Sequence, residues 1–178
     1  MAGTTPVNYE LKFEPSFHNF KFNGTETITL NLSKSTNSII LDAAELTIKK
    51  CHVVQGTKTI SAKPFLNAKN ERLTIKLAKK IKGKAKLCIE FTGILNDRLL
   101  GFYKSQYKDK KGKTKYLATT QFEAADARRA FPCWDEPAVK ATFDVTLLVD
   151  KHLGAISNMP VISKKTVGTK ILYKFGRT

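Results

Sequence analysis

The chain has 178 residues, 42% of them apolar with eleven Phe, and a net charge of +16 from 31 Lys and Arg against 15 Asp and Glu. Such a length suits one domain, and such an apolar share supplies a real core, which excludes global disorder. No apolar run approaches the roughly eighteen residues of a membrane span, and the opening MAGTTPVNYELKF lacks the order of a secretory signal, so no membrane is expected and the cytoplasm is the expected location.

Period-two alternation begins at once, with Val7, Tyr9, Leu11 and Phe13 set between polar neighbours. Phe20 and Phe22 follow, then a turn at Phe22-Asn23-Gly24 and a strand through Ile28, Leu30 and Leu32. Further strands are predicted at Ser38 to Leu41, Leu46 to Val54, Leu73/Ile75/Leu77 and Leu87/Ile89/Phe91. Beyond these come Tyr116 to Thr120, Phe143/Val145/Leu147/Val149, Ala155 to Asn158 and Thr169 to Phe175. Many short β-branched and aromatic runs bounded by turn residues indicate an all-β fold, an antiparallel, saddle-like β-sandwich with one short helical segment. The lysine runs Lys79 to Lys86 and Lys108 to Lys115 each hold a central Gly and read as hairpin loops. The final apolar strand ends the chain with no tail, and such a strand wants a partner, which predicts a chain cut short.

The chemistry-bearing residues are sparse. Cys51, Cys88 and Cys133 form no C-x-x-C pair and read as small buried apolar residues. His18, His52 and His152 form no H-E-x-x-H, so no metal site is expected in this chain. Nucleic-acid readers add Arg forks and exposed aromatics, and although the basic excess raises the question of nucleic acid, it is nearly all Lys. Nucleic acid is therefore not the expected partner. One segment departs from the pattern: Glu123 to Phe131 is Ala-rich and predicts about two helical turns before Pro132. It leads into Pro132-Cys133-Trp134-Asp135-Glu136-Pro137, which holds the only Trp. Asp126, Arg128 and Arg129 read as structural, pairing with one another and with Asp135 or Glu136, while Phe131 and Trp134 read as core anchors.

The ordered stretch from Thr119-Thr120-Gln121-Phe122-Glu123 through Trp134-Asp135-Glu136-Pro137 resembles the hallmark segment of the aminopeptidase N and puromycin-sensitive aminopeptidase family. Tyr9-Glu10-Leu11, the Phe22-Asn23-Gly24 turn, Gly101-Phe102-Tyr103-Lys104-Ser105, Lys140 to Phe143 and Ser157-Asn158-Met159 are similar to the same family, so the likeness covers almost the whole chain. The resemblance implies that residues 1–178 are the amino-terminal β-domain of a single-zinc exopeptidase. Its catalytic domain, with G-x-M-E-N and H-E-x-x-H, is missing from this sequence. It implies that Glu123 binds the free α-amino group of a peptide, that Gln121 lines the pocket for the first side chain, and that the Glu123–Ala124 peptide is cis. Zinc belongs to the complete enzyme, so the chain alone is expected to carry no catalytic residue, to bind no cofactor and to be inactive. Its expected partners are peptide substrates and the catalytic domain of the same protein, against whose contact an apolar face is expected. A non-catalytic scaffold of the same fold and a freestanding basic binding module remain as alternative readings.

Overall fold

The alternating runs become ten strands in a computed structural model, which describes residues 3–178. Met1 and Ala2, the start of the expected domain, lie outside the described residues. In chain order the strands are β1 (Thr4–Ser16), β2 (Lys21–Asp42), β3 (Thr47–Gln55), β4 (Lys58–Asn67), β5 (Arg72–Ile94), β6 (Gly101–Lys108), β7 (Thr114–Gln121), β8 (Thr142–Asp150), β9 (Val161–Val167) and β10 (Lys170–Phe175). Eight of them form a sheet in the order β3-β4-β5-β2-β1-β8-β10-β9, with β3 also pairing β5, while β6 and β7 form a separate hairpin. The all-β, sandwich-like reading holds. The sheet is mixed, however, because β1 and β8 run parallel from Asn8↔Thr142 to Phe13↔Leu147. These two strands are far apart in the chain, so no tight turn forces them antiparallel.

Alternation decides which side of each strand is buried. Ile28, Leu30 and Leu32 of β2 and Leu87, Ile89 and Phe91 of β5 are all buried, with Thr29, Asn31, Cys88 and Glu90 between them. The phase of β1 changes at a bulge between Pro6 and Asn8, which leaves Val7 exposed while Tyr9, Leu11 and Phe13 turn inward. Phe22, Phe91, Phe102 and Phe131 surround Phe13 in edge-on contacts, with ring centroids 5.5 to 6.4 Å from it. Phe102 comes from the hairpin and Phe131 from the segment after it, so both are bolted to the main sheet through this aromatic core.

Three expectations of local structure fail for tertiary reasons. Gly24 lies inside β2, not in a turn; it sits opposite Phe91, and a Cβ there would come within 2.3 Å of that ring. Lys79 to Lys86 is no loop but the middle of the 23-residue β5, where Ile81 and Ala85 point inward and the lysines outward. The Lys108 to Lys115 run does close a hairpin, at Asp109–Lys113. Ala155 to Asn158 makes no strand, since β8 is already flanked by β1 and β10. The strand expected at Thr169 to Phe175 does form, as β10, with β8 and β9 as its neighbours. Cys133 is buried as expected, whereas Cys51 and Cys88 are only half-buried.

Candidate functional site

The β6–β7 hairpin carries Gln121 to its place. Gln121 is the last residue of β7 and pairs with Gly101, the first of β6. Gly101 has φ +68, and a Cβ on it would lie 2.6 Å from Cβ of Arg129, so a side chain there is excluded twice over. The hairpin is held by Phe102 in the core, by the Lys104 N–H donating to Asn96 O at 2.8 Å, and by Tyr116 against Phe20. The chain then runs through Phe122, which stacks edge-on to Phe131, to Glu123. The Glu123–Ala124 peptide is cis.

No two-turn helix follows. The segment makes turns and a three-residue 3₁₀ turn, Ala127–Arg129, because its polar groups are drawn outward in several directions. The Arg128 Nε donates to Asp135 Oδ2 at 3.0 Å, and its Nη1 donates to Glu71 Oε2 at 3.2 Å and lies 3.8 Å from Asp42. Arg129 donates from Nε to Asp126 at 2.8 Å, from Nη1 to Glu45 at 2.6 Å and from Nη2 to Glu71 at 3.0 Å. Asp42, 2% exposed, is paired with Arg72 at 3.0 Å and accepts the Asp135 N–H at 3.0 Å. Arg98 closes the cluster on Glu45. Burial alone would disfavour the two guanidinium charges, but the carboxylates outweigh it and raise both pKa values.

The pairing of Asp126, Arg128, Arg129 and Asp135 is as the sequence suggests. Glu136 takes no part in it. The partners that sequence reasoning missed are Asp42, Glu45 and Glu71. Glu45 and Glu71 sit at φ +58 and +52, conformations that disfavour a side chain by about 1 kcal/mol each and that no pattern in the sequence announces. Phe131 and Trp134 are core residues, 4% and 7% exposed. Cys133 lies between them with its thiol pKa pushed well up by burial, which suits packing and not nucleophilic attack.

Against this locked background, Gln121 and Glu123 are both exposed, and neither side chain makes a hydrogen bond or ion pair among the described residues. The structure brings them to one end of the hairpin, two positions apart. Beside them a shallow cavity of about 200 Å³ is lined by Ala124, Tyr9, Phe131, Trp134, Glu136 and Phe143, among others, and neither Gln121 nor Glu123 lines it. Tyr9 is stacked on Phe143 at 5.0 Å, and burial pushes its phenol pKa up, so the wall is rigid and uncharged. Exposed Glu136 is the one carboxylate on that cavity besides Asp135, and Asp135 is taken by Arg128. Among the described residues no group of three or more His, Cys, Asp or Glu is placed to hold a metal ion. No helix among them is long and apolar enough to cross a membrane.

The chain is 44% identical over 162 residues to a puromycin-sensitive aminopeptidase of Caenorhabditis elegans, a match that covers 89% of this chain and 17% of that protein. It is 42% identical over 161 residues to the alanine/arginine aminopeptidase of Saccharomyces cerevisiae, covering 88% and 19% of the two chains. Against aminopeptidase M1 of Arabidopsis thaliana it is 41% identical over 169 residues, covering 92% and 19%. The chain thus spans less than a fifth of the length of these relatives. With the model of the Peptidase M1 N-terminal domain matching residues 5–178, the chain belongs to that family.

Proposed function

We propose that this chain is the part of a zinc-dependent aminopeptidase that grips the free amino end of a peptide. Glu123 accepts hydrogen bonds from the α-ammonium, and Gln121 forms one wall of a pocket for the first side chain, completed by residues outside this chain and separate from the cavity beside Ala124. The observation that supports this reading is a contrast within one segment. Asp126 and Asp135 are tied to Arg129 and Arg128, while Glu123 stands exposed and unpaired at the end of a braced hairpin. A carboxylate held at a fixed point is what an exopeptidase needs to count one residue inward from a charged amine. The charge-assisted hydrogen bond favours the ammonium, and an internal peptide bond offers no such charge. Residues of a catalytic domain outside this chain would hold the metal, which polarises the scissile carbonyl when bound. The complete enzyme is placed in the cytoplasm, with peptides as substrates.

The test is kinetic. In the full-length enzyme that carries this domain, Glu123→Ala is expected to lower kcat/KM for free-amine dipeptide substrates roughly ten- to a hundredfold, the worth of a charge-assisted hydrogen bond. Melting temperature and metal content should stay unchanged. Unaltered kinetics would remove Glu123 from the site. The isolated 178-residue chain is expected to bind no stoichiometric zinc and to leave aminoacyl-anilides intact; metal-dependent hydrolysis by it would overturn the division of labour.

A further inference from the structure

Charge is segregated in this molecule. Residues 27–41, 46–70 and 73–89 carry twelve lysines and not one Asp, Glu or Arg. They are contiguous in space: β3, β4 and the stretches of β2 and β5 that pair with each other and with them. All twelve lysines are exposed. Among the described residues only Lys50 and Lys86 reach a carboxylate, Glu90 at 3.7 Å and Glu10 at 3.3 Å, and both acids lie outside the lobe.

Two features turn this charge into a surface with a shape. Lys63 and Lys76 are directly opposite across β4 and β5, a like-charge pair that works against the fold. One rung along the same face, Phe65 and Ile40 flank Thr74 and are 56% and 50% exposed. Further along β5, Lys80, Lys82 and Lys84 point outward while Ile81 and Ala85 are buried. Unrelieved repulsion beside two uncovered apolar side chains calls for a ligand that is both anionic and partly apolar.

We propose that this face binds an acidic polypeptide segment bearing an apolar side chain, its carboxylates on Lys63, Lys76 and the Lys80–Lys84 row and its apolar group on Phe65 and Ile40. The lobe has no Arg to grip phosphates bidentately, and Phe65 is its only aromatic residue, so nucleic acid is the poorer fit. Two half-exposed apolar side chains offer little to a bilayer interior. Pro64 removes one N–H from β4, which weakens strand addition and leaves recognition to the side chains. This inference is independent of the role of Glu123.

The experiment is fluorescence anisotropy on the 178-residue chain. The probes are a labelled twelve-residue glutamate peptide with one central Leu, an all-glutamate peptide, a twelve-residue oligothymidylate and phosphatidylserine vesicles. The Leu-bearing peptide is expected to bind most tightly, with an affinity that falls as salt rises. The double reversal Lys63→Glu/Lys76→Glu should weaken it at least tenfold. The same charge change at Lys110 and Lys111, on the β6–β7 turn, should weaken it less than about threefold, the diffuse effect of net charge. The Lys63/Lys76 double reversal keeps a like-charge pair, so the repulsion across β4 and β5 is preserved, and matched melting temperatures would confirm an intact fold. Phe65→Ser, which leaves every charge in place, should erase the advantage of the Leu-bearing peptide over the all-glutamate one. Equal losses in the two double variants, no peptide binding, or tighter binding of the oligothymidylate or the vesicles would each overturn the proposal.

Discussion

Two regions of this domain carry dense charge and resolve it in opposite ways. In the segment from Glu123 to Pro137, both arginines are half-buried and each reaches three carboxylates, so the network fixes a piece of irregular backbone. In the lysine lobe ten of twelve cations reach no carboxylate among the described residues, and two of them face each other. The difference teaches how charge should be read. A planar guanidinium with several fixed donors suits holding distant carboxylates together, whereas exposed ammonium groups on flexible stems suit an external partner. Glu123 belongs to the first region by sequence and to the second by behaviour, since it is left open within a locked segment. That exception supports its proposed role.

The sharpest way to break the comparison is to cut the locked region. Arg128→Leu removes the partner of Asp135 and one of two cations near the buried Asp42. It is expected to destabilise the domain by about 3 kcal/mol, because breaking a buried pair leaves a carboxylate uncompensated. Urea unfolding measures this, and a loss below 1 kcal/mol would show that the segment is held by Phe131 and Trp134 alone.

A second, smaller effect concerns a buried carboxyl that lies outside both regions. Glu26 is 2% exposed on β2, and neither of its carboxyl oxygens has a hydrogen-bond partner among the described residues. Burial raises its pKa well above the ordinary value. The folded state therefore keeps a proton that the unfolded chain releases. Stability is complete below the ordinary glutamate pKa and is lost as pH rises towards the raised folded-state value. Glu26→Leu is expected to stabilise the domain by about 2 kcal/mol at neutral pH, and by less near pH 4. A gain that does not change with pH would mean that the carboxyl ionises in place.

The smallest effect sharpens the lobe. Lys63→Glu converts a like-charge rung into an opposite-charge one and should stabilise by about 0.5 kcal/mol at low salt, fading at high salt. A salt-independent change would place the effect in packing and not in charge.

Much of this was legible in the sequence. The buried faces of β2 and β5 follow from alternation, because a residue's side of a strand depends only on its neighbours' spacing. The hallmark segment from Thr119 to Pro137 was legible as a motif, and so was the pairing of Arg128 with Asp135, seven residues apart. The pairing of Arg129 with Asp126, three residues apart, was legible too. The long-range arginine contacts were not, since Glu71 lies 57 residues from Arg128 and Glu45 lies 84 from Arg129. Nor was the fate of the two lysine runs. Each has the same local chemistry with a central Gly, yet one closes a hairpin and the other runs mid-strand, because β2 lies alongside it from Leu32 to Thr36. By itself, the sequence determined the all-β class, the core faces and the family segment, all of which rest on short-range pattern. Tertiary structure alone decided the parallel seam between β1 and β8, the carboxylates that lock the arginines and the freedom of Glu123. Those depend on which distant residues meet, and no local spacing records that.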